Sequence, residues 1–229
     1  MKKVILITGA SKGLGKELCK LFLDNNYDVI GTYHNTFSSD TNIDYQKCDL
    51  SNENDINNLF NYIKDKYHHL DVLVNNAALC QDSDFDHKTS DEFKNVLSVN
   101  LIGTFLMIKY FSKIMDKGTI INISSLDAED TYSPYSIDYA ASKAGVENLT
   151  KNISSILSNL KVVALAPAWI NTETVLEMEP NYLKEEMIKH NQERLLDKKN
   201  VAKKILEIVN SDKYKSGMII RMEDDNEYR

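Results

Sequence analysis

Tyr139 and Lys143 stand four residues apart in the stretch Tyr-Ala-Ala-Ser-Lys, so on a helix they project from one face, one turn apart. A free phenol titrates near ~10. A fixed ammonium beside it favours the phenolate and would bring the group into range for proton transfer near neutrality. The pair is therefore a candidate acid/base, although the same spacing also arises by chance on solvated helix faces. A second chemistry-bearing stretch is Thr8-Gly9-Ala10-Ser11-Lys12-Gly13-Leu14-Gly15, which runs into the helical apolar pattern Leu14, Leu18, Leu21, Phe22. Glycines there permit a tight turn and let backbone amides approach a pyrophosphate at a helix N-terminus, where the dipole favours anions. A plain glycine turn is the alternative. The apolar run before it and the helix behind it favour a dinucleotide site.

The elements that must position these groups alternate along the chain. Val4–Thr8, Val29–Tyr33, Ile43–Lys47, Val72–Val74, Thr119–Ile123, Val162–Leu165 and Met218–Arg221 have strand character, with helical patterns near 13–25, 52–66, 90–115, 136–159 and 198–210. Strands without internal polar alternation, separated by helices, imply a parallel sheet buried on both faces and joined by right-handed crossovers. The expected fold is α/β: one doubly wound domain over 1–229. Residues 172–200 interrupt the alternation with a polar helical insertion just after a strand's carboxyl end, the position of a substrate lid.

Composition narrows the function. With 229 residues and 42% hydrophobic content the chain can bury a large core. Its longest apolar runs fall far short of the ~20 residues that span a bilayer, so no membrane partner is expected. The first strand pattern begins directly after Lys2 and Lys3, leaving no room for a signal peptide, and the expected location is cytoplasmic. Three cysteines form no CxxC pair and the histidines show no ligand spacing, so no metal is expected. Net charge is −7 with lysines scattered among acids, which argues against nucleic acid as a partner.

The spacing Gly-x-x-x-Gly-x-Gly, Asn75-Asn76-Ala77 after the fourth strand, Asn100, Ser125 and Tyr139-x-x-x-Lys143 fall in order at the strand ends of one alternating pattern. Together they resemble the short-chain dehydrogenase/reductase family over nearly the whole chain, in particular its single-domain 3-oxoacyl-reductase-like members. The resemblance implies a Rossmann-type fold with a seven-stranded parallel sheet, which the strand count supports independently. It implies an oxidoreductase in which Tyr139 donates the proton in carbonyl reduction, Lys143 lowers the Tyr139 pKa and binds the nicotinamide ribose, Ser125 holds the substrate oxygen and Asn100 supports a water relay. Ser125 is preferred over Ser124 because it matches the second serine of the family's Asn-x-Ser-Ser. The Ser125-to-Tyr139 interval is one residue longer than usual, which suggests an insertion around Asp127–Tyr135. Asn100 lies in a helical pattern where a polar side chain is unfavourable unless exposed or bonded, and a bend there, helped by Gly103, is expected.

The remaining cofactor contacts follow in part from the resemblance. Gly9, Ser11, Lys12, Gly13, Leu14 and Gly15 form the turn. Asn76 and Ala77, the pair Asp49-Leu50, and Pro167, Ile170 and Thr172 match family positions that touch the dinucleotide. Asp49 is alternatively a helix cap, for which Ser51 is equally suited. Ala168 and Ala78 replace glycines of the family pattern, each adding a methyl where backbone normally approaches closely, and Trp169 is either packing or a substrate platform. An acidic residue at the end of the second strand usually binds the adenosine ribose 2′-hydroxyl, whereas its absence beside a cation accommodates a 2′-phosphate. Here that strand ends in Tyr33-His34-Asn35, with no carboxylate before Asp40 and with Lys12 in the nearby turn. NADP(H) is favoured, with His34 and Asn35 as further contacts; NAD(H) is the alternative if Lys12 faces water.

For substrate, acidic residues after Ser125 (Asp127, Glu129, Asp130) weigh against docking of an acidic acyl carrier protein. A small carbonyl or alcohol is favoured, with a 3-oxoacyl thioester as the alternative and a non-catalytic dinucleotide sensor more remote. The last strand, at Ser216–Ile220, resembles the family's edge strand but ends in a charged tail. Family resemblance implies a homodimer or homotetramer.

Overall fold

Runs such as Val4–Ile7 carry aliphatic side chains on both faces of an extended backbone, and only a sheet covered on each side can bury them all. The computed structural model describes residues 2–37, 40–129 and 134–226. Its strands are β1 Val4–Ile7, β2 Asp28–Tyr33, β3 Asp44–Lys47, β4 Val72–Asn75, β5 Gly118–Ile123, β6 Leu160–Pro167 and β7 Ile219–Met222. They form one seven-stranded sheet in the order β3-β2-β1-β4-β5-β6-β7. Every neighbouring pair is parallel. The helices are α1 Gly13–Asp24, α2 Glu53–Tyr67, α3 Ser90–Leu97, α4 Thr104–Phe111, α5 Ile137–Ile156, α6 Glu173–Leu176, α7 Pro180–Lys189 and α8 Lys198–Asn210. The chain winds outward from β1 to β3, then returns to place β4 on the other side of β1. That reversal opens a crevice at the carboxyl ends of β1 and β4.

Alternate residues of each strand serve opposite layers. Ile5, Ile7, Val74, Ile121 and Val163 pack with Leu18 and Phe22 of α1 and Val201, Ile205 and Ile208 of α8. Val4, Leu6, Leu73, Ile120 and Val162 pack with Ile56, Leu59 and Ile63 of α2, Met107 and Phe111 of α4, and Leu149 and Ile153 of α5. Phe22 has no exposed surface, so truncating it to alanine would cost about 3–5 kcal/mol.

The strands and most helices lie within a few residues of their sequence-expected bounds. The expected helix 90–115 does not run straight. It is α3, then a π-helical segment Ser98–Gly103, then α4 and a closing 3-10 turn Ser112–Ile114. The π segment sits where Asn100 turns inward, and Gly103 presses on the loop after β3: a Cβ on Gly103 would lie 2.8 Å from the Leu50 carbonyl oxygen. The insertion at 172–200 is helical as expected, α7 beginning with Pro180 at its first turn and Glu179 capping it. Buried Asp225 secures the return of this segment, accepting hydrogen bonds from Arg194, Asn200 and the Asp197 amide. The insertion expected around Asp127–Tyr135 lies partly outside the described residues, as do Asp130 and the end of the charged tail. No helix among the described residues is long and apolar enough to cross a membrane.

Candidate functional site

The glycine turn between β1 and α1 is a tight structure held from several sides. Gly9 and Gly13 have φ of +65° and +56°, the left-handed region that favours glycine. A Cβ on Gly9 would stand 2.9 Å from the Ala77 Cα, so the turn and the loop after β4 touch backbone to backbone. Thr8 Oγ1 accepts the amides of Asn76 and Ala77 at 3.0 Å each. Asn76 Nδ2 in turn donates to the carbonyls of Thr8 and Gly9, at 2.9 and 3.2 Å. The α1 N-cap, Lys12, contributes no side-chain cap, while the Gly13 amide donates to Glu173 Oε2 at 3.1 Å. The structure places Gly15 behind the turn rather than on the cleft wall: a Cβ there would fall 2.2 Å from the Gly9 carbonyl oxygen.

A cleft of about 730 Å³ opens above the carboxyl ends of the strands. Ser11, Lys12, His34, Asn35, Asp49 and Leu50 line it on the β2/β3 side, with Gly9, Gly13, Leu14, Asn76 and Ala77 beneath. His34 Nε2 lies 3.6 Å from Asp49 Oδ2. Burial works against the Asp49 carboxylate, but hydrogen bonds from Ser51 and the nearness of His34 leave it below its ordinary range. Ser51 is thereby engaged with Asp49, and neither residue caps α2; Asn52 does, accepting from the Asn54 amide. Lys12 is exposed, with Nζ 3.3 Å from Thr174 Oγ1.

On the β5/β6 side the cleft is lined by Ser125, Tyr139, Lys143, Pro167, Trp169, Ile170 and Thr172. The two serines that end β5 diverge. Ser124 Oγ donates to Glu147 at 3.0 Å and contacts the Lys143 carbonyl at 3.3 Å, which commits it to α5. Ser125 is one of the groups that act on the Tyr139 phenol. Its Oγ also donates to Asp127 Oδ2 at 3.0 Å and receives the Asp127 amide at 3.2 Å. Lys143 is buried, its Nζ donating to the Ile123 carbonyl at 2.7 Å and lying 5.3 Å from the centre of the Tyr139 ring. Trp169 lines the cleft while its backbone is clasped by Gln192, at 2.9 Å on the amide and 2.8 Å on the carbonyl.

Burial dominates the electrostatics of the pair. Burial pushes the Tyr139 phenol well above its ordinary value, Asp127 and Cys80 push it further, and the Ser125 hydrogen bond pulls the other way. Burial also pulls the Lys143 ammonium down to about 8, against Cys80 and Asp127. Burial is the largest influence on both groups. The Lys143 ammonium lies over the Tyr139 ring while bonded to a backbone carbonyl, and its own charge is disfavoured by the same dry surroundings.

Asn100 stands behind the cleft rather than on its wall. Its Oδ1 accepts the Leu79 amide at 2.7 Å, and its Nδ2 donates to the Leu79 carbonyl at 2.8 Å and Ser142 Oγ at 3.0 Å. The side chain thus ties the loop after β4 to α5, one residue before Lys143. Two features escaped the sequence: Glu173 on the glycine turn, and His190, whose Nε2 lies 3.0 Å from Asp127 Oδ1. Asp127 stood out only as a surface charge.

A doubly wound sheet with a glycine turn at its first strand end, opening into a cleft that holds a tyrosine, a serine and a lysine, defines a dinucleotide-binding oxidoreductase. The sequence profile of the short chain dehydrogenase family matches residues 3–182, and the chain belongs to that family. An uncharacterized oxidoreductase of Thermotoga maritima is 31% identical over 185 residues, 74% of this chain and 72% of that one. The 3-oxoacyl-acyl-carrier-protein reductase FabG of Chlamydia pneumoniae is 29% identical over 202 residues, 82% of this chain and 81% of that one. Among solved structures, the aldohexose dehydrogenase of Thermoplasma acidophilum in ligand-free form superposes with a TM-score of 0.88 at 25% identity, covering 98% of this chain and 93% of that one. The protein ElxO with NADP bound superposes with a TM-score of 0.81 at 30% identity over 98% of each chain. The chain is an oxidoreductase of this family, similar to a protein solved with NADP bound.

Proposed function

We propose that the protein interconverts a small ketone or aldehyde and its alcohol with NADP(H), Tyr139 exchanging the proton. The observation that carries this is the meeting of Ser125, Tyr139 and Lys143 in the same cleft as the glycine turn. The residues fit a dinucleotide: Gly9, Gly13 and Leu14 line the cleft at the positive end of α1, where Lys12 contributes no side-chain cap and the Gly13 amide already holds a carboxylate, that of Glu173. Gly13, Leu14 and Thr172 would hold the pyrophosphate, Asp49 and Leu50 the adenine side, and Pro167 and Ile170 the nicotinamide side. The bound cofactor supplies or accepts the hydride.

The chain's own groups do the rest. Tyr139, on the cleft wall with its phenol protonated at neutral pH, is placed to donate to a carbonyl oxygen that gains negative charge. Ser125, which lines the same cleft as Tyr139, orients that oxygen. Lys143 supplies a nearby positive charge and a second donor toward the ribose. Asn100 acts by holding the loop after β4 against α5.

NADP(H) is favoured over NAD(H) because Ser11, Lys12, His34 and Asn35 line the β2 end of the cleft without a carboxylate from that strand. The NADP complex of ElxO supports the same preference. Helices α6 and α7 serve as the substrate lid, since Thr174, Val175, Met178 and Tyr182 face the cleft. Exposed Ile102 and Phe105, in the π segment and on α4, support assembly into a homodimer or homotetramer. The likeness to the Chlamydia pneumoniae reductase supports a second substrate, a 3-oxoacyl thioester on a carrier protein. Asp82 and Asp127 on the cleft weigh against such an acidic partner. A screen of NADPH oxidation with free ketones, aldehydes and sugars against acyl thioesters decides between them. Turnover of free carbonyls is expected, and activity confined to carrier-linked substrates would overturn the preference.

A further inference from the structure

Asp127 bridges two parts of the molecule that are far apart in sequence. Its Oδ2 accepts the Ser125 hydroxyl at 3.0 Å, while its Oδ1 lies 3.0 Å from Nε2 of His190, the residue that ends α7. Both side chains are withdrawn from solvent, His190 at 5% exposure and Asp127 at 12%, so this is not a surface contact weakened by water and salt. The Asp127 amide also donates back to Ser125 Oγ at 3.2 Å, so the serine is gripped by one residue through backbone and side chain together. The two acceptor oxygens have separate tasks: one fixes the serine, the other the end of the lid.

The arrangement matters for a reaction at Ser125 and Tyr139. Asp127 is one of the groups that push the Tyr139 phenol up. A carboxylate beside a substrate oxygen that becomes alkoxide-like opposes the reaction unless its charge is drawn elsewhere. His190 is the group placed to do so, because it donates to the oxygen turned away from Ser125. We propose that Asp127 and His190 are a positioning pair that couples docking of the α7 end to the orientation of Ser125, so that the reactive set is assembled only when the lid is seated. This rests on the role of Ser125 proposed above.

The test compares Asp127→Asn, His190→Ala, His190→Gln and the double variant Asp127→Asn/His190→Ala. An asparagine keeps one acceptor oxygen and can serve only one of the two partners; a glutamine at 190 keeps a side-chain N–H. Turnover is measured with ethyl acetoacetate as the ketone probe, NADPH affinity by titration calorimetry, folding by thermal melting, and opening of α7 by amide hydrogen exchange. Each single variant is expected to lower kcat by about 10- to 100-fold, the scale of a small misplacement of reacting groups, with NADPH affinity unchanged. The double variant is expected to be no worse than the weaker single one, and His190→Gln to recover part of the loss. Exchange in 180–190 should rise equally in Asp127→Asn and His190→Ala. Multiplying losses in the double variant, undiminished kcat, or unchanged exchange in α7 would each overturn the pairing. If either alanine variant fails to fold, the His190→Gln kinetics and the Asp127→Asn exchange decide the question alone. Ser125→Ala and Tyr139→Phe run in parallel: wild-type turnover in those two defeats the proposed reaction centre, whereas their loss beside intact pair variants defeats only the coupling.

Discussion

Replacing Gly15 by alanine should damage both the fold and dinucleotide binding, although Gly15 does not face the cleft. The new Cβ would fall 2.2 Å from the Gly9 carbonyl oxygen and 2.7 Å from Asn76 Nδ2. Those atoms cannot move aside cheaply. The Gly9 carbonyl is held by Asn76 at 3.2 Å, and the Gly9 amide contacts Thr32 Oγ1 at 3.3 Å. Relief therefore requires α1 and the turn to separate, an overpacking cost of about 1–3 kcal/mol. At about 2–4 °C per kcal/mol for a domain of this size, the melting temperature should fall by about 2–12 °C. Because the displaced turn is the same one proposed to cradle the pyrophosphate, NADPH affinity should fall by about tenfold or more, equivalent to about 1.4 kcal/mol. Gly145→Ala is the control. Its Cβ would meet the Leu101 methyls at 2.9 and 3.1 Å, the ends of a flexible side chain, and alanine favours the interior of α5. Calorimetric titration and melting of the two variants separate the cases. Unchanged melting and NADPH affinity in Gly15→Ala would refute the packing of the turn described above.

Lys12→Glu should weaken NADPH far more than NADH, because the lysine lines the β2 side of the cleft where a 2′-phosphate would lie; equal losses in the two titrations would contradict that contact. Lys143 contributes a pH dependence whose sign follows from its depressed value. Between about 8 and 10.5 the unfolded chain holds a proton that the folded chain has released, so wild-type stability should gain a rising component across that window. Lys143→Met should remove that component in urea melts taken across the window, and an unaltered slope would show that the ammonium is not buried. Asp44 is held below its ordinary range: burial opposes this, but hydrogen bonds from Lys66, Gln46, Tyr67 and Tyr62 outweigh it. A depressed carboxylate stabilises the fold above its unfolded value near ~3.9, and that contribution is lost as pH falls through the folded one. Asp44→Asn should therefore cost about 1–3 kcal/mol at neutral pH and flatten the acid limb of the stability curve, and a full acid limb in the variant would assign it to other groups.

The parts of the molecule legible in the sequence were those set by local pattern. Aliphatic runs such as Val4–Ile7 announced buried parallel strands, the glycine spacing announced the turn, and a four-residue step placed Tyr139 and Lys143 on one face of α5. Ser125 was separable from Ser124 only through family resemblance, and the structure gives the physical distinction: Ser124 is bonded to Glu147 of α5, Ser125 to Asp127. What the sequence concealed depends on distant partners. A continuous helical pattern hid the π segment, because Asn100 turns inward to reach Leu79 and Ser142. The contact of Gly13 with Glu173 spans 160 residues, and that of Asp127 with His190 spans 63. Spacing alone suggested that Lys143 depresses the Tyr139 phenol; it carried no information on burial, which dominates both groups.

The central claim is that the Tyr139 hydroxyl delivers the proton in a cleft that also holds a nicotinamide dinucleotide. Tyr139→Phe removes that one oxygen and almost no volume, so steady-state turnover of a free carbonyl substrate, measured beside NADPH affinity on the same preparation, isolates it. Turnover should fall by about 10²- to 10⁴-fold, the range for loss of a general acid, with NADPH bound as tightly as by the wild type. Turnover retained within a few-fold of wild type would contradict the account.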